Sequence, residues 1–182
     1  MDLPQELKER LVAIQARLRH HLEGVRWVRP EGIHITLKFF GNIFDNDIIR
    51  ISEVVAPLAK ETRAVALTGE GVGAFPRLER PRVLWLGLHG DVERLVGLQG
   101  TIETKLEECG FRKETRKFSP HLTLGRAKSS KGMIIGVSET VARGESYSAG
   151  SFVSEGLTLF RSDLTPQGAV YTALKYFPFA EG

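Results

Sequence analysis

Two short stretches share one alternating pattern, and that pattern restricts the folds open to this chain. Residues 33–39 read IHITLKF and residues 120–126 read PHLTLGR, nearly half the chain apart. Apolar side chains at every second position fit a β-strand with one buried face, because successive residues of a strand point to opposite sides. In the first stretch Ile33, Ile35, Leu37 and Phe39 form one row, and His34, Thr36, Lys38 and Phe40 form the other. In the second, Leu122 and Leu124 face inward while His121 and Thr123 share the opposite side. Each strand therefore presents an imidazole and a hydroxyl away from its own apolar layer.

The remaining chain supplies both helices and strands. Leu7, Leu11, Ile14, Leu18 and Leu22 recur at spacings of three and four, which predicts an amphipathic helix over 4–22. Val25–Val28 reads as a strand, joined through the turn residues Pro30, Glu31 and Gly32 to the strand at 33–40, and the two are expected to form a hairpin. A second helix runs from Asp45 or Asp47 to about Lys60 with Ile48, Ile51, Val55 and Leu58 inward. Strands are expected at 65–67 and 82–88, with the Gly- and Pro-rich GEGVGAFPRLERP as a loop between them. A third helix follows Asp91, carries Leu95, Leu98, Ile102 and Leu106, and stops at Gly110. The stretch 128–144 holds at most a short helix around 133–141. Strands at 152–153, 157–160 and 169–177 close the chain, the last two joined by a turn at 165–168. Helices and strands mix without strict alternation, so the pattern predicts an α+β fold with largely antiparallel sheets. The order of elements roughly repeats, consistent with a diverged duplication.

Composition narrows the class. The 182 residues suit one compact domain or two small lobes sharing an interface. A single cysteine, Cys109, excludes an internal disulfide and suits a reducing cytosol, where it reads as a helix-packing residue. No run approaches the roughly 20 apolar residues of a membrane span, and MDLPQELKER lacks the order of a secretory signal. A net charge of +3 is compatible with a phosphate-bearing partner.

A single His–Thr pair on a strand fits a wet sheet face as well as it fits chemistry. Two pairs facing one another across a cleft would flank one group with two imidazoles and two hydroxyls. Neutral imidazole accepts a proton and imidazolium donates one near neutral pH, which suits in-line displacement at phosphorus. Chemistry alone allows either His in either role. Other machinery is missing from the sequence. There is no HExxH helix for zinc, no GxSxG elbow and no GxxxxGK[ST] loop, so neither a metal nor ATP is expected.

These paired motifs resemble the 2H phosphoesterase superfamily, and more closely its RNA 2′,3′-cyclic phosphodiesterase branch, also called 2′-5′ RNA ligase. GVRWVRPEGIHITLKFFGNI, GAFPRLERPRVLWLGL, FSPHLTLGRAK and LTLFRSDLTPQGAVYTAL are all similar to that family's blocks, in its order. The resemblance implies a single two-lobed domain over residues 1–182 with a pseudo-twofold. Each lobe would be a mainly antiparallel sheet with helices on its outer face, and the active site would lie in the cleft between lobes. It implies metal-independent opening of a 2′,3′-cyclic phosphate at an RNA end to a 2′-phosphate, without cofactor, in RNA processing such as that of tRNA. It also implies reversible ATP-independent 2′-5′ joining in some members. A cytoplasmic monomer is expected. Carried over by position, His34 is the acid for the departing 3′ oxygen, His121 is the base that activates water, and Thr36 and Thr123 hold phosphate oxygens. Arg126 matches a family site position, although strict alternation aims it away from His121 unless Gly125 allows a bulge. Family members open with an apolar strand ahead of a segment like Asp2-Leu3-Pro4. Met1 directly precedes that segment here, so a truncated start and an unpaired strand edge are expected.

The other marked residues each have two readings. Lys38 is in phase to meet a phosphate or to stand solvated. Phe40 stacks a base or packs into the core. Arg112, Lys113, Arg116 and Lys117 attract an RNA backbone or form an ordinary charged loop. Trp27 and Trp85 are expected in the core, His20 and His21 at a helix end, and His89 in an exposed turn. The rivals to RNA phosphodiesterase activity are an RNA-binding module without turnover and a phosphodiesterase for another small cyclic phosphate.

Overall fold

The computed structural model describes residues 1–129, 132–166 and 168–181. Its elements in chain order are α1 (Gln5–Arg19), β1 (Val25–Trp27), α2 (Asp45–Glu61), β2 (Val65–Phe75), β3 (Val83–Gly90), α3 (Val92–Glu108), β4 (His121–Ala127), α4 (Val137–Ala142), β5 (Ser148–Ser154), β6 (Gly156–Thr165) and β7 (Gly168–Pro178). Five strands form one sheet in the order β1-β4-β3-β2-β5, and β6 and β7 form a long hairpin. Every pairing between these strands is antiparallel, which agrees with the α+β expectation.

The three long helices follow the apolar spacing. Leu7, Leu11, Ile14 and Leu18 of α1 are buried, as are Ile51 and Val55 of α2 and Leu95, Ile102 and Leu106 of α3. Gly110, at φ 86°, ends α3 as anticipated. Its N–H donates to the Glu107 carbonyl at 2.8 Å and the Phe111 N–H to Leu106 at 3.0 Å, a paired closure that satisfies the last carbonyls. The turn expected at 165–168 includes Gln167, and the ambiguous stretch 128–144 includes Ser130 and Lys131; these three lie outside the described residues.

Two expectations fail. The first is the hairpin. β1 pairs with β4, matching Val25 to Ala127 and Trp27 to Gly125, and not with residues 33–40. Pro30–Gly32 is a 3-10 turn whose bonds, Gly32 N–H to Arg29 O and Ile33 N–H to Pro30 O, lead the chain onward instead of reversing it. Glycine makes the alternative partner available. A Cβ on Gly125 would sit 2.4 Å from Cγ1 of Val25, so only glycine lets β1 lie this close to β4. Residues 33–40 belong to none of the assigned strands, and the expected alternation holds only at their start: Ile33 and Ile35 are buried and Thr36 exposed, but Phe39, expected on the core row, is 78% exposed while Lys38 and Phe40 are half-buried. Met1 and Ile35 exchange both backbone bonds, at 2.8 and 3.1 Å.

The second failure is the loop. GEGVGAF, the first part of GEGVGAFPRLERP, is strand, because β2 runs through it and pairs with both β3 and β5. Its glycines serve packing and register. The Trp85 ring lies where a Cβ on Gly73 would be, 2.2 Å away, and the register slips between Gly69 and Val72.

Candidate active site

β4 carries the second motif in a ladder with β1 on one side and β3 on the other. On β3, Leu84, Leu86 and Leu88 are buried, and Val83, Trp85 and Gly87 take the opposite face. The register sets His121 against Gly87 and Thr123 against Trp85, so both motif side chains share the Trp85 face. The register then slips. Gly125 pairs with Leu84 and Arg126 with Val83, leaving Leu124 as an extra residue. Leu124 and Gly125 are consecutive and both buried, which is the signature of a bulge. Arg126 is thereby returned to the face of His121 and Thr123, as the reading of Gly125 allowed, and its charge is felt at the imidazole.

The two imidazoles are held alike. His121 directs Nδ1 at the Ser119 carbonyl, 2.7 Å away, and His34 directs Nδ1 at the Gly32 carbonyl, 2.9 Å away. In each case the acceptor lies two residues upstream. A carbonyl only accepts, so Nδ1 carries the proton and Nε2 is left for chemistry. Each ring also rests against aromatics. Phe75 meets His121 edge-on at 5.0 Å, and His34 lies 4.6 Å from Tyr171 and 5.5 Å from Phe160. His34 thus belongs to the β6–β7 hairpin side and His121 to the five-stranded sheet. Neither Thr36 nor Thr123 has a hydrogen-bond partner for its hydroxyl among the described residues. Thr36 is exposed and Thr123 half-buried.

Burial lowers the pKa of both imidazoles. For His34 desolvation dominates, the terminal ammonium and Lys8 add to it, and the Gly32 carbonyl and Asp2 oppose it, giving a value of about 4. For His121 desolvation again leads, opposed by the Ser119 carbonyl and reinforced by Arg126. Both rings are neutral at pH 7 in the free protein. The Gln15 amide donates to the carbonyls of Val28 and Leu124, each at 2.9 Å, and so ties the chain entering the first motif to the strand of the second.

Two of the expected contacts lie elsewhere. Lys38 does not point into open solvent or toward a free phosphate position. Its ammonium sits 2.6 Å from Glu103 and donates to the Arg112 carbonyl at 2.8 Å, with both side chains of the pair 4% exposed. Glu103 also accepts from the Gln99 amide and the Glu114 N–H, so it fastens the first motif to α3 and the following loop. Phe40 packs edge-on to Phe111 at 5.6 Å, the core alternative for that residue. Lys38–Phe40 and residues 111–116 line a separate hollow of about 310 Å³.

Trp85 is the residue most misjudged. It is half-buried on the His121 face, not in the core, and its Nε1 is enclosed without a partner among the described residues. With Val72, Leu88, Val92 and Pro120 it walls a groove of about 430 Å³ that opens beside His121. The alternation of Val83, Trp85 and Gly87 was in the sequence and carried this signal. Nothing local linked Phe160, Tyr171 or Phe75 to the imidazoles. Among the described residues no group of three His, Cys, Asp or Glu side chains is placed to hold a metal, and no helix is long and apolar enough to cross a membrane.

Similarity to known proteins covers nearly the whole chain. The chain is 33% identical over 177 residues to an RNA 2′,3′-cyclic phosphodiesterase of Methanothermobacter thermautotrophicus, spanning 97% of this chain and 95% of that one. It is 29% identical over 182 residues to the protein of that name from Thermotoga maritima, spanning 100% and 94%. A crystal structure of a Thermus thermophilus protein superposes with a TM-score of 0.80 at 26% identity, covering 99% of this chain and 96% of that one. Escherichia coli LigT complexed with 3′-AMP shares the fold at a TM-score of 0.77 and 24% identity, covering 100% and 95%. The family described as LigT like phosphoesterase matches twice in succession, over residues 1–85 and 87–171. With matches over residues 1–85 and 87–171, the chain belongs to the LigT-like phosphoesterase family.

Proposed function

We propose that this protein hydrolyses 2′,3′-cyclic phosphate ends of RNA to 2′-phosphates, with His34 and His121 as a proton-transfer pair. The reading rests most on the matched tautomers. Two imidazoles, His121 on the five-stranded sheet and His34 on a segment outside any strand, each have Nδ1 committed to a carbonyl two residues upstream, and each is left with Nε2 as its reactive atom. Binding alone does not call for two such rings. The twofold family match and the names of the relatives support the same reaction. The single domain would be two-lobed, one lobe on the five-stranded sheet and the other on the β6–β7 hairpin with the first motif, and the scissile phosphate would sit between them.

In this scheme His121 Nε2 takes a proton from water as the water oxygen bonds to phosphorus. The bond from phosphorus to the 3′ oxygen breaks, and His34, protonated on both nitrogens, returns a proton to that oxygen. The product carries a 3′-hydroxyl and a 2′-phosphate, and charge and protons balance. Thr36 and Thr123 hold non-bridging oxygens, and Arg126 adds positive charge from the His121 side. A ring with a pKa of about 4 is a poor proton donor in the free protein. The bound phosphodiester anion raises it, so the acid is formed by the substrate that needs it. The reverse reaction would join RNA through a 2′-5′ linkage without ATP. A cytoplasmic monomer needing neither metal nor cofactor completes the reading.

Adenosine 2′,3′-cyclic phosphate in EDTA tests it. Wild type is expected to yield the 2′-monophosphate, identified by NMR, and His34→Ala and His121→Ala are each expected to lose at least about a hundredfold in kcat/KM. Retained activity in both variants would exclude the pair. Binding of RNA with no product would favour the binding-module alternative, and turnover of other cyclic phosphates alone would move the assignment to a different substrate.

A further inference from the structure

Arg26 and Arg126 stand directly opposite each other, as cross-strand partners of β1 and β4. Both are exposed, and neither has a carboxylate partner among the described residues. Like charges in this position repel and weaken a strand pair. The pair is not on an indifferent surface. The bulge at Leu124 and Gly125 returns Arg126 to the side of His121 and Thr123, and the register puts Arg26 on that same side. Val25, the neighbour of Arg26, is buried on the other face. β1 is the edge strand, so the two guanidiniums lie between the second motif and the rim of the sheet.

We propose that Arg26, together with Arg126, forms a site for a second phosphate of the substrate, the one on the 5′ side of the terminal nucleoside. The inference rests on the reading of an RNA cyclic phosphate end as substrate. The scissile group belongs beside His121 and Thr123. Arg126 is three positions further along β4, and Arg26 is one strand further out. The further displacement of Arg26 suits the next anion along a nucleic acid strand and not the reacting one, with Arg126 standing between the two. Two planar guanidiniums on one face of adjacent strands offer paired N–H groups to phosphate oxygens, and the anion removes the repulsion between them. The site would make the protein prefer an oligonucleotide end to a nucleoside cyclic phosphate lacking a 5′-phosphate. Arg26 is a specificity residue in this account and touches no reacting atom.

The test compares adenosine 2′,3′-cyclic phosphate bearing a 5′-phosphate with the same compound bearing a 5′-hydroxyl. In Arg26→Gln the loss of kcat/KM is expected to be about tenfold larger for the 5′-phosphorylated compound, and the preference should shrink in wild type as salt rises. Equal losses on both, or none on either, would overturn the proposal. Without ligand, Arg26→Gln should melt no lower than wild type, because it relieves a like-charge pair; a clear fall would mark Arg26 as structural and also overturn it. Should wild type turn over neither compound, the hydrolytic reading falls, and binding then decides this one separately. Calorimetry with adenosine 2′,5′-bisphosphate and adenosine 2′-phosphate should show Arg26→Gln weakening the first about tenfold more than the second. Equal weakening would reject the second-phosphate site.

Discussion

The two motif segments are alike in sequence and unlike in how they are held. Residues 121–127 form a strand with ladders on both sides. Residues 33–40 belong to none of the assigned strands, and they alternate only over 33–36, since Phe39 is exposed and Lys38 and Phe40 are half-buried. The first segment is fixed instead by side chains and by isolated backbone bonds: the Lys38–Glu103 pair, the Gln99 amide on the Leu37 carbonyl, and the exchange between Ile35 and Met1. Burial of Ile33 and Ile35 keeps the start of the segment alternating, and the backbone partner is a separate matter. A chemical group can be presented equally well by a laddered strand or by a segment clamped from the side.

The largest expected effect attacks the clamp. Glu103→Ala strands the Lys38 ammonium in a buried site and should destabilise by about 3–5 kcal/mol in chemical denaturation. If the contrast between segments is real, amide exchange in the surviving native state should speed up at 33–40 while 121–127 stays protected. Equal acceleration in both would erase the distinction.

The next effect separates the two imidazoles by pH. The native His34 ring binds its proton only near pH 4, while the unfolded chain takes one up near 6.5. The unfolded state therefore holds more protons between these values, and stability is complete above pH 6.5 and declines as pH falls toward 4, by about 3 kcal/mol in all. His34→Gln should flatten this slope, and His121→Gln should flatten it less, since the fall in its pKa is the smaller of the two. Urea titrations from pH 4 to 7 would measure both, and equal slopes would mean the two rings are equally buried.

The smallest effect probes the laddered segment. Gly125→Ala drives a methyl into Val25 and should cost about 1–3 kcal/mol, read as a lower melting temperature. Because β1 must move away, the Arg26–Arg126 pairing is expected to loosen with it. A neutral substitution would show that β1 docks without the bulge.

The pattern of legible and illegible features has a common cause. The apolar spacing of α1, α2 and α3 was sufficient because a helix buries one stripe whatever covers it. The alternation at 121–127 named the face of His121 and Thr123 for the same reason. The hairpin at 25–40 was misjudged because Pro30-Glu31-Gly32 suits a 3-10 turn as well as a reversal, and only the fit of Val25 beside Gly125 selects β4 as partner. GEGVGAF was misjudged because glycine marks both a turn and a place where another group comes close, here the Trp85 ring. Lys38 was misjudged because its partner Glu103 is 65 residues away.

By itself the sequence determined the three long helices and the facing of both His–Thr pairs, since these follow from residue spacing and local geometry. Tertiary structure alone decided which strand lies beside which, which cation is spent on an ion pair and which is left free, and which aromatics enclose each imidazole. Those outcomes depend on contacts between residues far apart in the chain, and no local pattern encodes the distance between them.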